Sequence, residues 1–541
     1  MCIRDRFDFV VIGAGSAGCA VASRLSENGK YRVALIEAGP KDTNPWIHIP
    51  VGYFKTMGNP KSDWQYVTDP DDGLNGRAIR WPRGRVLGGS SSINGLLFVR
   101  GQPQDFDHWR QLGNIGWAWE DVLPVFKRLE TWHGGKGAND AFRGAQGPLS
   151  VSPTAVKRDI VDYWIKSAVA AGYHQNEDYN GETQEGVGYF QLTLHQGQRC
   201  SSAKAYLKPA RDRRNLHVLT DTQVEKLVLR EGRVVQVLAR SKGQEISLDV
   251  EREVVLSAGA IGSPHILMVS GIGPGQELAS WGIPVERDLS GVGQNLQDHL
   301  QARPIFKTNL STINTEIKSW ARKAMMGIEY AFKRTGPMTM AASLGTGFLK
   351  THPDLETPDI QFHIQPFSAN NAVEGPHPFS AFTASVLQLR PESTGCLKLK
   401  SADSRIHPAI HPNYLSTTTD QTTIVKGIQI ARKIASLNPL KSHITEEYAP
   451  GREIAHDDDA GTLEWARNTS VTIYHPTGTC KMGSDPMSVV DARLRVHGIK
   501  GLRVADASIM PTITSGNTNA PSIMIGEKAS DMILEDLQNA G

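Results

Sequence analysis

Residues 7–39 read FDFVVIGAGSAGCAVASRLSENGKYRVALIEAG, and this stretch decides the fold. The apolar run at residues 9–12 predicts a buried parallel strand. Residues 13–18, which are rich in glycine, then turn into an alanine-rich helix. A second apolar run at residues 33–36 predicts the next strand. A strand, a glycine turn, a helix and a second strand form a βαβ unit of the dinucleotide-binding type.

The small and acidic residues of this unit have separate expected roles. Gly13 permits the tight turn, Gly15 lets a pyrophosphate approach the positive end of the helix, and Gly18 lets helix and strand pack closely. Glu37 follows the second strand, where a carboxylate would bind ribose hydroxyls. We therefore predict cofactor contacts at Gly13, Gly15, Ser16, Gly18 and Glu37. The alternative is a glycine turn in an ordinary βαβ unit that binds no nucleotide.

The same stretch also has features of a signal peptide. Arg4 and Arg6 precede an apolar run of small residues. Asp8 interrupts that run, however, and the glycines keep the spacing of a nucleotide-binding turn. A second strand also follows, which a cleaved leader does not require. We therefore favour the βαβ interpretation, and we predict that residues 1–6, which show no periodicity, are a disordered or non-native start.

Length and composition bound the class of protein. At 541 residues the chain exceeds the usual size of a single core, which predicts two domains or one elaborated domain. A net charge of +2 predicts no nucleic-acid partner. The five cysteines are scattered singly, so we expect no metal, no disulfide framework and a reducing cytoplasm. No apolar run approaches the ~20 residues that span a bilayer, which leaves peripheral membrane contact open.

Two later segments point to a flavin nucleotide. Residues 84–95 read GRVLGGSSSING, which lets the backbone run close to a large flat ligand and offers NH and OH donors. The alternative for this segment is a flexible linker. Residues 216–259 alternate in polarity between glycine-containing turns and predict an antiparallel meander that runs into a further glycine turn and helix. A meander inserted into such a sheet is more typical of FAD-dependent than of NAD-dependent enzymes.

These segments carry a resemblance to a known family. Residues 84–101, GRVLGGSSSINGLLFVRG, and residues 259–273, GAIGSPHILMVSGIG, are similar to the two signatures of the glucose-methanol-choline (GMC) oxidoreductases. Residues 292–299, VGQNLQDH, resemble a third stretch of that family. The chain is identified as a member of the choline dehydrogenase-like branch, with a likeness from about residue 7 to residue 532.

The resemblance implies a mixed α/β (α+β) fold in two parts. A Rossmann-like FAD-binding domain with an inserted β-meander would comprise residues 7–147, 198–300 and 466–535. A substrate-binding domain, an antiparallel β-sheet backed by helices, would comprise residues 148–197 and 301–465. Helical spacing at residues 319–332 and alternation at 359–365 and 382–389 agree with the second part.

The resemblance also implies how FAD is held. The ADP half would lie on Gly13, Gly15, Gly18 and Glu37, and the backbone of Val224 would meet the adenine. The pyrophosphate and isoalloxazine would be lined by Gly89, Ser90 and Asn94, and Asp506 and Ala507 would form a turn that faces the FAD. Family members that bind FAD covalently can carry a histidine where this chain has Ile93. We therefore predict a dissociable, non-covalent FAD.

The expected chemistry lies near the end of the chain. His475 stands between an aromatic residue and a proline in IYHPTGTCKMG, residues 473–483, and a neutral imidazole is a suitable base for an alcohol proton. His475 also matches the active-site histidine of the family, and Asn517 matches its second histidine-or-asparagine position. The amide of Asn517 can donate to a substrate oxygen, although it could instead be a turn residue. We predict that His363, His407 and His411 are structural or surface histidines.

The predicted reaction is the oxidation of an alcohol to an aldehyde, with hydride transfer to flavin N5. Leu344 stands where relatives have a glutamate for choline, which favours a neutral or apolar primary alcohol. The electrons would pass to an acceptor other than oxygen, a quinone or another molecule, in the cytoplasm or peripherally at the membrane. The alternatives are an oxidase that uses oxygen, an FAD-containing lyase of the hydroxynitrile lyase type, and a non-catalytic dinucleotide-binding protein.

Overall fold

Two large β-sheets organise the chain. The computed structural model describes residues 3–135, 140–370 and 375–539. The strands of the two sheets are, in chain order, β1 (Ile3–Ile12), β2 (Val33–Ile36), β3 (Gly186–Tyr189), β4 (Leu216–Leu219), β5 (Thr222–Arg230), β6 (Arg233–Ser241), β7 (Gln244–Leu256), β8 (Leu300–Ala302), β9 (Ile305–Thr308), β10 (Gly345–Leu349), β11 (Ile360–Gln365), β12 (Ala381–Gln388), β13 (Ile444–Ala449), β14 (Val471–Thr472) and β15 (Leu502–Val504). The longer helices are α1 (Ser16–Ser26), α2 (Pro103–Gln111), α3 (Trp119–Leu129), α4 (Asp159–Ala170), α5 (Gly259–Val269), α6 (Trp320–Lys333), α7 (Thr418–Ala435), α8 (Asp459–Thr469) and α9 (Asn519–Asn539).

The first sheet contains the βαβ unit. Its strand order is β4-β2-β1-β7-β6-β5, with β15 beside β7. The strands β4, β2, β1, β7 and β15 pair in parallel, whereas β5, β6 and the first half of β7 form an antiparallel meander. This is the predicted Rossmann-like sheet with its inserted meander, and the mixed α/β fold class is confirmed.

Two details of this sheet differ from the sequence-based prediction. Residues 216–219, predicted as the first strand of the meander, form β4 and pair in parallel with β2 at the other side of the sheet. Residues 3–6, part of the start predicted to be disordered or non-native, are ordered here: they extend β1 and pair with residues 246–249 of β7. Residues 3–6 show no periodicity of their own and gain strand structure by pairing with the edge of β7. The placement of β4 has a related reason. Alternation of polarity indicates a strand but does not say which free edge satisfies its backbone hydrogen bonds.

The glycine turn after β1 is as tight as predicted. Gly13 has a φ of +97°, which favours glycine. A Cβ on Gly18 would lie 1.9 Å from the carbonyl oxygen of Gly13, so α1 packs directly on the turn. A Cβ on Gly526 would lie 2.5 Å from the carbonyl oxygen of Ala17, which brings α9 against α1. The C-terminal helix α9 is therefore a second support of the nucleotide turn.

The second sheet is antiparallel, as predicted for the substrate-binding part. Its order is β13-β9-β12-β11-β10-β3, with β8 pairing both β12 and β14. Helix α7 packs against β12, where a Cβ on Gly427 would lie 2.7 Å from a methyl group of Val386. The pairing of β8 with β14 matches Leu300 to Thr472. This register brings the residues just before β8 beside those just after β14.

Candidate active site

One large cavity connects the glycine turn after β1 with the end of β14. Its wall contains twelve of the thirteen residues predicted from the sequence to bind cofactor or act on substrate: Gly13, Gly15, Ser16, Glu37, Gly89, Ser90, Asn94, Val224, Asp506, Ala507, His475 and Asn517. Gly18 is not part of the wall, because it lies where α1 packs on the turn. The fold thus brings the nucleotide-binding and the catalytic candidates to one continuous space.

Glu37 is fixed by the turn that it was predicted to complete. Its Oε2 accepts a hydrogen bond from the backbone N–H of Ala14 at 3.1 Å, and its Oε1 accepts one from that of Gly39 at 2.8 Å. Burial raises the pKa of Glu37 to about 7, although both backbone donors favour the carboxylate. The carboxyl group is therefore positioned at the cavity wall before any ligand arrives.

The serine-rich loop lies directly on the glycine turn. The backbone N–H of Gly88 donates to the carbonyl oxygen of Ala14 at 2.8 Å. Gly89 has a φ of +53°, and a Cβ there would lie 2.6 Å from the Cα of Gly15. This loop is therefore a packed wall of the cavity, and the alternative of a flexible linker is wrong.

Asn94, at the end of that loop, is held by Arg199, to which no sequence pattern pointed. Its Oδ1 accepts hydrogen bonds from the Nη1 of buried Arg199 at 2.6 Å and from the backbone N–H of Leu96 at 3.1 Å. Arg199 also donates to the carbonyl oxygens of Ile47 and Ser91. The guanidinium therefore fixes the orientation of the Asn94 amide, which leaves its N–H groups for the cavity.

Asp506 shapes the turn after β15. Its Oδ2 accepts from the backbone N–H of Gly259 at 2.9 Å and from the hydroxyl of Ser263 at 2.5 Å, and its Oδ1 accepts from the backbone N–H of Ser508 at 2.8 Å. Oδ2 thus joins this turn to the start of α5, and Oδ1 closes the turn itself. Ala507 follows at the wall of the cavity.

At the other end of the cavity, two histidines face each other. The pairing of β8 with β14 places His299 beside His475, and the Nδ1 atoms of the two rings are 3.0 Å apart. The Nε2 of His299 lies 2.8 Å from the carbonyl oxygen of Leu389. The Nε2 of His475 lies 2.9 Å from the Nδ2 of Asn517. The predicted catalytic pair, His475 and Asn517, is therefore in direct contact.

These contacts fix the tautomer of His475. A carbonyl oxygen only accepts, so the Nε2 of His299 carries the proton that it donates to Leu389. Burial lowers the pKa of His299 to about 4, so this ring is neutral and its Nδ1 is an acceptor. The Nδ1 of His475 must then be the donor between the two rings. The Nε2 of His475 is left with its lone pair towards Asn517 and the cavity.

The charge state of His475 suits a base. Burial, together with the neighbouring His299, His363 and Arg83, lowers the pKa of His475 well below 6.5. Its backbone N–H donates to the Oδ1 of Asp298 at 2.8 Å, which holds the segment after β14. The imidazole is therefore neutral and held by its neighbours.

Asp298 and His299 belong to the segment VGQNLQDH, whose family likeness was its only signal in the sequence. The Oδ2 of Asp298 accepts hydrogen bonds from the hydroxyls of Tyr414 at 2.5 Å and Thr472 at 2.6 Å. Burial raises the pKa of Asp298 to about 6, against the effect of these donors. The signal that could have identified Asp298 and His299 is an acid next to a histidine in a segment bounded by strands. The sequence does not show the contact with His475, because that residue lies 176 positions after His299.

The substrate end of the wall corrects the expectation drawn from Leu344. Leu344 is buried in the core of the second sheet and is absent from the wall that the described residues form, whereas the preceding Ser343 lines it. His363, predicted to be structural, is part of the wall, and its buried Nε2 has no hydrogen-bond partner among the described residues. Arg303 and several aromatic rings complete this end of the cavity: Tyr53, Phe54, Phe367 and Tyr474.

A dinucleotide-type turn joined through one cavity to a neutral histidine and an amide defines a nucleotide-cofactor oxidoreductase. The family model of the GMC oxidoreductases matches residues 7–301 with its N-terminal part and residues 391–526 with its C-terminal part. The chain therefore belongs to the GMC oxidoreductase family, and the resemblance found in the sequence is confirmed. It is an FAD-dependent oxidoreductase that acts on CH–OH donors.

Named relatives agree with this assignment. The chain is 39% identical to an alcohol dehydrogenase [acceptor] of Pseudomonas putida over 99% of this chain and 97% of that protein. It is 42% identical to a mitochondrial choline dehydrogenase of Mus musculus over 98% of this chain and 90% of that protein. Among solved structures, a pyridoxine 4-oxidase from Mesorbium loti superposes with a TM-score of 0.88 at 30% identity, covering 98% of this chain and 99% of the other.

Proposed function

We propose that the protein oxidises a neutral primary alcohol to the aldehyde with a non-covalently bound FAD and passes the electrons to an acceptor other than oxygen. The observation that carries this proposal is the hydrogen-bond chain from Leu389 through His299 to His475, which leaves the Nε2 of His475 unprotonated at the cavity. A positioned neutral imidazole is the group that alcohol oxidation needs to accept the hydroxyl proton.

The residues of the cavity fit FAD. A Cβ on Gly15 would meet nothing closer than the carbonyl oxygen of Ser257 at 3.8 Å, so the glycine leaves open space beside the backbone at the end of α1. We propose that this turn and Glu37 hold the ADP half, with Val224 at the adenine and Gly89, Ser90 and Asn94 along the rest of the cofactor. Ile93 offers no nucleophile for a covalent link, which supports a dissociable cofactor.

Each residue at the catalytic end has one task. FAD, when bound, supplies the acceptor for the hydride that leaves the carbinol carbon. The substrate hydroxyl takes the place of the Asn517 amide as donor to the Nε2 of His475, and this nitrogen then takes the hydroxyl proton. His299 holds the ring in the tautomer that makes this transfer possible. The amide N–H of Asn517 donates to the substrate oxygen and stabilises the negative charge that develops there.

The charges at the wall favour a neutral substrate over a quaternary ammonium. Within the described ranges, the only carboxylates of the wall are Glu37 and Asp506, and both are hydrogen-bonded to backbone amides. Arg303 places a positive charge at the substrate end. A cationic substrate would therefore meet a like charge without a compensating carboxylate.

Choline is the second candidate. The aromatic rings of Tyr53, Phe54, Phe367 and Tyr474 could surround a trimethylammonium group. The likeness to mitochondrial choline dehydrogenase also supports it. The two candidates make opposite predictions for Arg303, because its charge opposes choline and is compatible with a neutral alcohol.

The acceptor and the compartment are part of the same proposal. The Pseudomonas putida relative is named for an acceptor rather than for oxygen, which supports a quinone or a comparable molecule. Buried free thiols at Cys19, Cys200 and Cys480 support a reducing cytoplasm. We propose that the protein acts there, with peripheral contact to the membrane that would bring it near a lipid-soluble acceptor.

The test is anaerobic bleaching of the flavin spectrum by a panel of alcohols that includes choline, followed by readmission of air. We expect bleaching by neutral primary alcohols and slow recovery in air. Rapid recovery would identify an oxidase. Cleavage of a cyanohydrin without bleaching would identify a lyase, and strong bleaching by choline alone would replace the neutral substrate.

Two variants accompany this panel. His475→Ala should slow flavin reduction by about a hundred-fold or more while FAD stays bound, because it removes the base. Arg303→Met, which keeps a long unbranched side chain without the charge, should increase the use of choline relative to a neutral alcohol. Unchanged reduction in the first variant would refute the assigned base.

A further inference from the structure

Helix α6 presents its apolar side to solvent. The side chains of Trp320, Met325, Ile328 and Phe332 are 81%, 61%, 59% and 85% exposed, and Tyr330 is its one buried residue in the described structure. Met325, Ile328 and Phe332 follow at intervals of three and four residues and share one face. A surface helix of a globular protein normally turns such a face inward, so the exposed face of α6 requires a partner.

The helix is formed without that partner. The hydroxyl of Ser319 accepts from the backbone N–H of Arg322 and caps the first turn, and Arg334 adopts the left-handed conformation that ends the last turn. Tyr330 anchors the helix to the body of the protein by donating to the carbonyl oxygen of Gly197. The apolar face is therefore preorganised and needs no folding step to bind.

Positive charges border this face. Residues 318–334 contain five basic residues, Lys318, Arg322, Lys323, Lys333 and Arg334, and a single acidic residue, Glu329. The side chain of Glu329 accepts a hydrogen bond from the hydroxyl of Thr335. Since the whole chain has a net charge of only +2, this segment is a local concentration of positive charge.

We propose that α6 docks the protein on an anionic lipid bilayer, with Trp320, Ile328 and Phe332 among the acyl chains and the basic residues at the headgroups. Apolar and aromatic residues on one face with Lys and Arg beside them are the features of a helix that lies in a membrane interface. A second copy of the chain fits this surface less well, because two such segments would oppose like charges. No helix of residues 3–135, 140–370 and 375–539 is long and apolar enough to cross a membrane.

The position of α6 gives the docking a consequence. The turn after α6, Pro337–Thr339, contacts the turn Pro50–Gly52, which leads directly into Tyr53 and Phe54 of the cavity wall. Phe54 is partly exposed, as is the nearby Trp46. Docking through α6 would therefore hold this aromatic part of the cavity close to the lipid. This inference deepens the proposed membrane contact, because it names the surface that makes the contact. Only the consequence for the cavity rests on the proposed function.

The test is flotation of the FAD-loaded protein with vesicles. Vesicles of phosphatidylcholine with about a quarter phosphatidylglycerol should carry the protein, and pure phosphatidylcholine vesicles should carry much less. The double variant Trp320→Ser/Phe332→Ser should lower the bound fraction by about tenfold or more, and Arg322→Glu/Lys323→Glu should remove the preference for anionic vesicles. Ile115→Ser, which changes a side chain 76% exposed elsewhere on the surface, is the matched control and should bind as the wild type.

Three results would overturn the proposal: wild-type protein that stays unbound, a double variant that binds as the wild type does, or equal losses in the Ile115→Ser control. Light scattering tests whether a second copy of the chain covers α6 instead. A wild-type protein that is a dimer, with a double variant that is a monomer, would show that α6 is an interface between two copies. Flavin reduction by a water-soluble alcohol should be the same in all these variants. If the protein does not bind vesicles, the proposed oxidation is unaffected. If it does not oxidise an alcohol, the proposed docking is unaffected.

Discussion

His299 is the residue whose substitution tests the proposed mechanism most directly. It does not reach the substrate in our proposal, and it acts through the Nδ1 of His475, 3.0 Å from its own Nδ1. His299→Leu removes the acceptor for the proton on that nitrogen. The proton can then move to the Nε2 of His475, where it blocks the lone pair that takes up the substrate proton.

The size of the effect follows from burial. Both histidines are buried, so a lost acceptor leaves an unpaired N–H away from water, which costs about 1–3 kcal/mol. The tautomer of His475 that is protonated at Nδ1 loses this free energy relative to the tautomer protonated at Nε2. The loss changes the equilibrium between the two tautomers by a factor of about 5 to 150. We expect the rate of flavin reduction to fall by that factor in His299→Leu, with FAD still bound.

His299→Asn is the matched control, because its side-chain oxygen can accept in place of the ring Nδ1. It should retain much more activity than His299→Leu, although both lose the hydrogen bond to Leu389. The assay is anaerobic stopped-flow reduction of the flavin at saturating alcohol, with FAD content and thermal unfolding measured in parallel. Equal rates in the two variants, or a His299→Leu variant as fast as the wild type, would refute the role of His299 in positioning.

Three further results are expected. Because its pKa is lowered well below 6.5, His475 stays unprotonated in mildly acid solution. The rate of flavin reduction should therefore be constant from alkaline pH down to 6.5 and fall only below it. A midpoint at or above 6.5 in a stopped-flow pH series would contradict the lowered pKa. Gly15→Ala should weaken FAD binding at unchanged thermal stability. Gly18→Ala should instead lower the unfolding temperature, because its Cβ would lie 1.9 Å from a backbone oxygen. Flavin titration and calorimetry measure the two effects, and equal behaviour of the variants would contradict the separate roles of the two glycines. Acid precipitation should release FAD into the supernatant, since Ile93 cannot form a covalent link, and colour in the pellet would show a linkage elsewhere.

Much of the fold and of the candidate site could be predicted because the signals are local. The glycine turn, α1 and β2 follow from spacing within residues 7–39, and helix α6 was predicted to within one residue at each end. His475 could be singled out because its neighbours in sequence restrict its backbone and because the segment matches a family. Its contact with Asn517 was expected from that match, and the distance of 2.9 Å agrees with it.

The expectation from Leu344 failed because neighbouring residues of an extended chain point to opposite sides. An alignment that is uncertain by one residue cannot distinguish Leu344 in the core from Ser343 at the cavity wall. The prediction that His363 is a structural or surface histidine did not include its place in that wall, for a similar reason. Its burial is evident from the apolar strand around it, but which space the ring faces depends on the neighbouring strands.

The sequence by itself determined the nucleotide-binding unit and the family and singled out His475 as the candidate base, because each rests on residues close together in the chain. Only the tertiary structure decided which strand edges pair, and with them the placement of β4 beside β2. It also decided the state of the base, because the pairing of β8 with β14 brings His299 to His475 across 176 positions. A histidine's tautomer and pKa are set by the groups that surround it in space and by its distance from water, and no local pattern contains that information.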